Sequence, residues 1–253
     1  MSQLIIGLGN KARHGKDSFA KAVDVYYGKL NSAAMKHQLS AKPVIVQHLA
    51  FADALYREAN QWLTTSEGKR FRGLGGILLN GGYTVDEGEG FKERISPAGL
   101  YLGKPTWDRE PVILPHWVTP DPNPEVNERA PHGKHPKLLQ WWGTEYRRTQ
   151  DPEYWVKALV KGINPKADIV LVTDMRFENE ATTIKKIGGY TVQVSRLNVD
   201  GTPFVDPMRP ADHISEIQLG GYNYDFKITV KTGDLVLLEE WAITLVHYLK
   251  ARK

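Results

Sequence analysis

The segment that most restricts the fold is Ile169-Val170-Leu171-Val172, four apolar residues in succession. A strand with one wet face alternates apolar and polar residues. A strand without that alternation is buried on both faces, as in a parallel sheet with helices on each side. Other runs fit the same sheet: Leu4–Leu8, Val44–Leu49, Tyr190–Val194 (Val192 and Val194 on one face) and Phe226–Val230. Helical patterns lie between them. Phe19, Ala22, Val23 and Tyr26 fall at i, i+3, i+4 and i+7, and Leu55, Ala59, Trp62 and Leu63 form a second amphipathic set. Leu138–Arg148 and Tyr154–Val160 read as two helices divided by Asp151-Pro152. A helix from about Asn179 ends at Gly188-Gly189, residues suited to a left-handed cap. The last helix carries Leu235, Leu238, Trp241, Ala242, Leu245 and Leu249 as a stripe expected to pack on the sheet. This alternation predicts a three-layer α/β fold with a mainly parallel sheet.

The stretch 66–135 breaks the pattern, with Gly73-Leu74-Gly75-Gly76 and Pro120-Asp121-Pro122-Asn123-Pro124 inside it. A structureless loop of that length does not suit a compact domain unless it serves a function. The expected organisation is therefore a core of 1–65 and 136–253 with 66–135 inserted as a lid or substrate-binding region. A chain of 253 residues can bury such a core. A net charge of +4 tolerates an anionic partner, yet no dense Lys/Arg run points to nucleic acid. With no cysteine there is no disulfide, thiolate metal site or thiol nucleophile. No apolar run approaches a membrane span, and the N-terminus reads as a strand rather than a secretory leader, so a cytoplasmic setting is expected.

The first chemical signal is Gly9-Asn10-Lys11-Ala12-Arg13-His14-Gly15-Lys16-Asp17-Ser18. The phosphate-binding loop needs a glycine, four residues, then Gly-Lys-Ser/Thr. Gly15 and Lys16 match; Asn10 stands at the first glycine, and Asp17 precedes Ser18 where the hydroxyl is usual. Asparagine tolerates a left-handed backbone, so its substitution is mild. With a strand leading in and a helix leading out, Gly15–Ser18 would open a helix whose N–H groups and dipole attract anions. Asn10, Lys11, Arg13, Gly15, Lys16, Asp17 and Ser18 are the candidate ATP contacts. Lys16 would bridge the β- and γ-phosphates, and Ser18, with Asp17 or Asp174, would hold Mg²⁺. A basic surface turn with Asp17 as N-cap is the plain alternative.

Two further blocks join this loop. Leu138-Leu139-Gln140-Trp141-Trp142-Gly143-Thr144-Glu145-Tyr146-Arg147-Arg148 continues to Asp151-Pro152-Glu153-Tyr154-Trp155, and Asp174-Met175-Arg176-Phe177-Glu178-Asn179-Glu180 follows the buried strand. With the loop, and with a weaker His213-Ile214-Ser215-Glu216 element, they resemble the deoxynucleoside monophosphate kinases of tailed bacteriophages, in the order that family has them. The resemblance implies a P-loop kinase fold that moves the γ-phosphate of ATP to a deoxynucleoside monophosphate in a host cytoplasm, with ATP and Mg²⁺ as cofactors. The partners implied are small nucleotides, with no membrane; a homodimer stays open.

The acceptor phosphate is already an anion near neutral pH (its second pKa is ~6), so catalysis consists mainly of holding two repelling phosphates in line and neutralising charge. The catalytic candidates are Lys16, Arg13, Arg148, Arg176 and Asp174. The resemblance implies that Asp174, Arg176 and Glu180 line the acceptor site. Arg176 would clamp the acceptor phosphate, while Asp174 takes a Mg²⁺-bound water or a sugar or base hydrogen bond. A local Asp174–Arg176 pair followed by a helix-capping Glu180 is the alternative. Gln140, Thr144 and Arg147 or Arg148 fall near one helical face, and Gly143 permits close approach of a ligand. Lys137 joins them as a basic residue before that helix. Trp155 is implied to stack on the nucleobase, although its spacing to Leu159 equally fits a core position. Trp141 and Trp142 fit the core, and Asp53 fits an N-cap. A kinase for another small phosphorylated acceptor, and a non-catalytic nucleic-acid-binding module, are the competing functions.

Overall fold

The computed structural model describes residues 3–9, 11, 13–79, 95–96, 99–100, 112–206 and 217–253. They form two compact units, Met1–Phe51 with Val156–Lys253, and Ala52–Trp155. Residues 52–65 and 136–155, expected with the sheet, thus cluster with the middle of the chain.

The first unit is an α/β layer structure. Strands β1 (Leu4–Gly9), β2 (Val46–Leu49), β5 (Ile169–Met175), β6 (Tyr190–Leu197) and β7 (Phe226–Lys231) form a sheet of order β2-β5-β1-β6-β7. Every neighbouring pair is parallel. Every residue of β1 is buried, and Ile169–Val172 of β5 is fully buried, as the apolar run requires. One face carries α1 (Lys16–Lys36) and α8 (Leu235–Ala251) over Leu4, Ile6, Leu8, Ile169, Leu171, Val192 and Val194. The other carries α6 (Tyr154–Gly162) and α7 (Glu178–Lys186) over Ile5, Val170 and Val172. The three-layer αβα arrangement follows directly from strands that are apolar on both sides.

Local details depart from the expected stripes. In α8 the core side is Leu238, Ala242, Leu245, Val246 and Leu249, while Leu235 and Trp241 are exposed. Helix α7 ends before Gly188, whose φ of +77° is the expected left-handed turn.

The second unit has its own aromatic core. Helices α2 (Phe51–Leu63), α3 (Ser66–Leu79), α4 (Pro136–Gln140) and α5 (Arg147–Gln150) belong to it, apart from Phe51 itself, with the short antiparallel strands β3 (Ile95–Ser96) and β4 (Gly99–Leu100). Trp62, Leu63, Phe71, Leu114, Val118, Leu138, Trp141, Trp142 and Trp155 pack together, so the described residues of this unit share a packed core. Leu138–Arg148 is not one regular helix. Between α4 and α5 the backbone widens into a π-helical stretch, Trp141–Tyr146.

Candidate functional site

The strand order reverses direction at β1: the chain moves from β1 to β2 and β5 on one side, then to β6 and β7 on the other. In open α/β sheets ligands bind at the carboxyl ends of the strands at such a switch. The loop from Gly9 to Lys16 sits there. Asn10 and Ala12 lie outside the described residues. Arg13 has φ +58° and Gly15 φ +94°, two left-handed residues that turn the backbone sharply into α1. The helix starts on Gly15 without a side-chain cap, with Phe19 N–H donating to Gly15 O at 2.9 Å. The first N–H groups of a helix lack intrahelical acceptors, so this start suits an anion.

Lys16 is buried, and its ammonium donates to the carbonyl of Lys11 inside the same loop. A lysine this enclosed is held against a partner that favours its charge. Asp17 is exposed in the first turn, where its charge complements the helix dipole, and Ser18 beside it is half-buried. Arg13 pairs with the buried Asp206, Nη1 to Oδ1 at 3.4 Å.

The second cluster stands on β5. The register pairs Gly9 with Met175, so Asp174 and Arg176 flank the residue opposite the start of the loop. Asp174 Oδ1 accepts from Phe51 N–H at 2.7 Å and so serves the first residue of α2. Asp53, expected to cap that helix, is instead its third residue and pairs with Arg129 at 2.8 Å. Glu180 is buried; its Oε2 accepts from Arg176 N–H at 2.8 Å and Phe177 N–H at 3.1 Å. Glu180 thus holds the turn that presents Arg176, which corrects its expected place against the acceptor.

The junction is close-packed. A Cβ on Gly9 would lie 2.6 Å from both Cε1 and Oη of Tyr224 and 2.8 Å from Met175 Cε, so only glycine fits. Burial, with Tyr222 adding to it, pushes the Tyr224 phenol far above its ordinary range, so it stays protonated. Tyr224 carried no sequence signal beyond its place before a strand.

The remaining candidates lie in the second unit. Lys137 is exposed and donates to Thr119 Oγ1 at 3.0 Å; Gln140 is exposed, Thr144 and Arg148 half-buried. The regular α-helical spacing assumed for that face does not run through this stretch, because the π-helix hydrogen-bonds i to i+5. Trp141 accordingly stacks on Tyr146 (centroids 5.0 Å, 19° between planes), and Trp142 shares a side with Arg147. Both reach Glu58: Trp142 Nε1 donates at 3.1 Å, Arg147 Nε and Nη2 at 2.8 Å each, and the Tyr154 hydroxyl also donates to it. Arg147, expected as a substrate contact, is therefore engaged by a carboxylate that sequence patterns did not single out. Gly143 is buried, a Cβ there would lie 3.0 Å from Leu55 Cδ2, and its carbonyl accepts from Trp155 Nε1 at 2.8 Å. Leu55, not a ligand, uses the space at Gly143. Trp155 is 3% exposed, which makes it core and corrects the stacking role.

Among the described residues no group of three or more His, Asp or Glu is arranged to hold a metal, and no helix is long and apolar enough to cross a membrane. Neither a family model nor a curated protein matches the sequence.

Proposed function

We propose that this chain is an ATP-dependent phosphotransferase of the P-loop kinase type, with a deoxynucleoside monophosphate as acceptor. One juxtaposition carries the reading: the buried Lys16 opens α1 and reaches back into a loop bent by left-handed Arg13 and Gly15, and that loop leaves a strand whose Gly9 pairs with Met175 between Asp174 and Arg176. Phosphoryl transfer needs that pairing of an anion cradle with a nearby cation and carboxylate. Lys16 and the first amides of α1 would hold the β- and γ-phosphates, and Arg176, on the turn braced by Glu180, would receive the acceptor phosphate. The residues suit a nucleotide-borne Mg²⁺: Ser18 is half-buried in the first turn of α1, and such a metal takes most of its ligands from phosphate and water. When bound, it neutralises charge on the phosphate chain.

The acceptor class rests on the sequence blocks at 138–155 and 174–180. The test is ADP release from ATP with each common deoxy- and ribonucleoside monophosphate, beside other small phosphorylated acceptors and single-stranded DNA. Turnover with a deoxynucleotide, abolished in a folded Lys16→Ala variant, is the expected outcome. Near-normal turnover in Lys16→Ala removes the phosphate-loop assignment. Salt-dependent DNA binding without turnover favours the nucleic-acid module instead.

A further inference from the structure

Beyond β6 the chain folds back on itself. Asn198 N–H donates to Thr202 O at 2.8 Å, Leu197 bridges antiparallel to Pro203, and Phe204 N–H donates to Arg196 O at 3.1 Å. The return lays the Phe204 ring beneath the Arg196 side chain, with the guanidinium carbon 3.4 Å from the ring centroid. Arg196 is also tied to the phosphate loop at two points. Its backbone N–H donates to His14 Nδ1 at 3.1 Å, and its Nη1 donates to the carbonyl of Arg13 at 3.2 Å. His14 meets Phe204 edge-on at 5.7 Å, closing a cluster that grips the loop just before Gly15.

The charges in this cluster are unequally matched. Arg13, the arginine the loop motif singles out, has the Asp206 carboxylate. Arg196 has no carboxylate within reach among the described residues, and its Nε–H is enclosed there without an acceptor. A guanidinium stacked on an aromatic ring and bonded to a carbonyl is held in one pose, so little freedom is lost when an anion arrives. A base would offer its flat face but would not answer the charge; a phosphate oxygen does.

We propose that Arg196 is a further cationic contact for the phosphate chain of the bound nucleotide, presented by Phe204 beside Arg13 and His14. The proposal rests on the phosphate-loop reading. Its test is calorimetric titration of Mg-ADP and of inorganic tripolyphosphate into the full chain as wild type, Arg196→Ala, Arg196→Gln, Arg196→Lys and Lys16→Ala. Loss of a charge-assisted contact is expected to weaken both ligands by roughly tenfold or more in Arg196→Ala and Arg196→Gln, with partial recovery in Arg196→Lys. The glutamine variant keeps the stem and a donor toward Arg13, and the backbone N–H to His14 survives in all of them. Wild-type affinity in Arg196→Gln overturns the proposal, as does weakening of Mg-ADP with tripolyphosphate unaffected, which would mark a base or ribose contact. Wild-type protein that binds neither ligand, with Lys16→Ala no different, overturns the phosphate-loop reading itself.

Discussion

Gly9→Ala isolates the junction between the first strand and the loop that leads into α1. The new methyl would sit 2.6 Å from Cε1 and Oη of Tyr224 and 2.8 Å from Met175 Cε, where ordinary contact begins near 3.4 Å. The methionine tip can swing aside. The Tyr224 ring cannot, since it is 5% exposed and packed edge-on against Tyr222 at 5.1 Å. It must retreat by about 0.8 Å (3.4 less 2.6), or β1 must shift in its pairing with β5. Overpacking of this kind costs about 1–3 kcal/mol. At about 2–4 °C per kcal/mol for a chain of this size, the melting temperature should fall by roughly 2–12 °C. The double variant Gly9→Ala/Tyr224→Leu removes the ring that is struck, so adding Gly9→Ala to Tyr224→Leu should cost much less than adding it to wild type. Thermal and urea unfolding of the four proteins measure this. An unchanged melting temperature for Gly9→Ala, or strictly additive losses, would refute the argument that Tyr224 sets the need for glycine.

Glu58→Ala should destabilise the second unit by roughly 2–4 kcal/mol in urea, because it removes the carboxylate that holds the half-buried Arg147 guanidinium and the Trp142 N–H; a loss under about 0.5 kcal/mol would show that the π-helical stretch stands without it. His135 is 2% exposed, with Nδ1 accepting from Asp121 N–H at 3.0 Å, and burial lowers its pKa from 6.5, aided by Arg72 and opposed by Asp121 and the His132 backbone. The unfolded chain then takes up a proton near pH 6.5 that the folded protein resists, so stability should decline as pH falls below about 6.5, by at most ~1.4 kcal/mol per pH unit from this group. His135→Asn keeps an acceptor toward Asp121 and should flatten that decline; an unchanged slope would place the proton uptake elsewhere.

The site was legible where its geometry is local. Gly15 followed by lysine after an apolar run announces a strand and a helix start within a dozen residues, and the structure has both, with Arg13 and Gly15 left-handed between them. Glu180 shows where that legibility stops: the block around it was expected to line a ligand, yet its carboxylate braces the backbone of Arg176 and Phe177. A helix-capping residue and a ligand-binding one look alike in a motif.

By itself the sequence settled the layers of the first unit, because burial on both faces leaves its mark residue by residue in Ile169–Val172 and in β1. It settled the turn at Gly188 for the same reason, since backbone preference belongs to the residue. Tertiary structure alone decided which side chains would be matched. Glu58 comes from another helix to claim Arg147, Asp174 reaches the first residue of α2, Tyr224 closes over Gly9, and the return after β6 brings Phe204 under Arg196. A polar group's partner is set by whichever distant segment packs beside it, and no periodicity along the chain records that meeting.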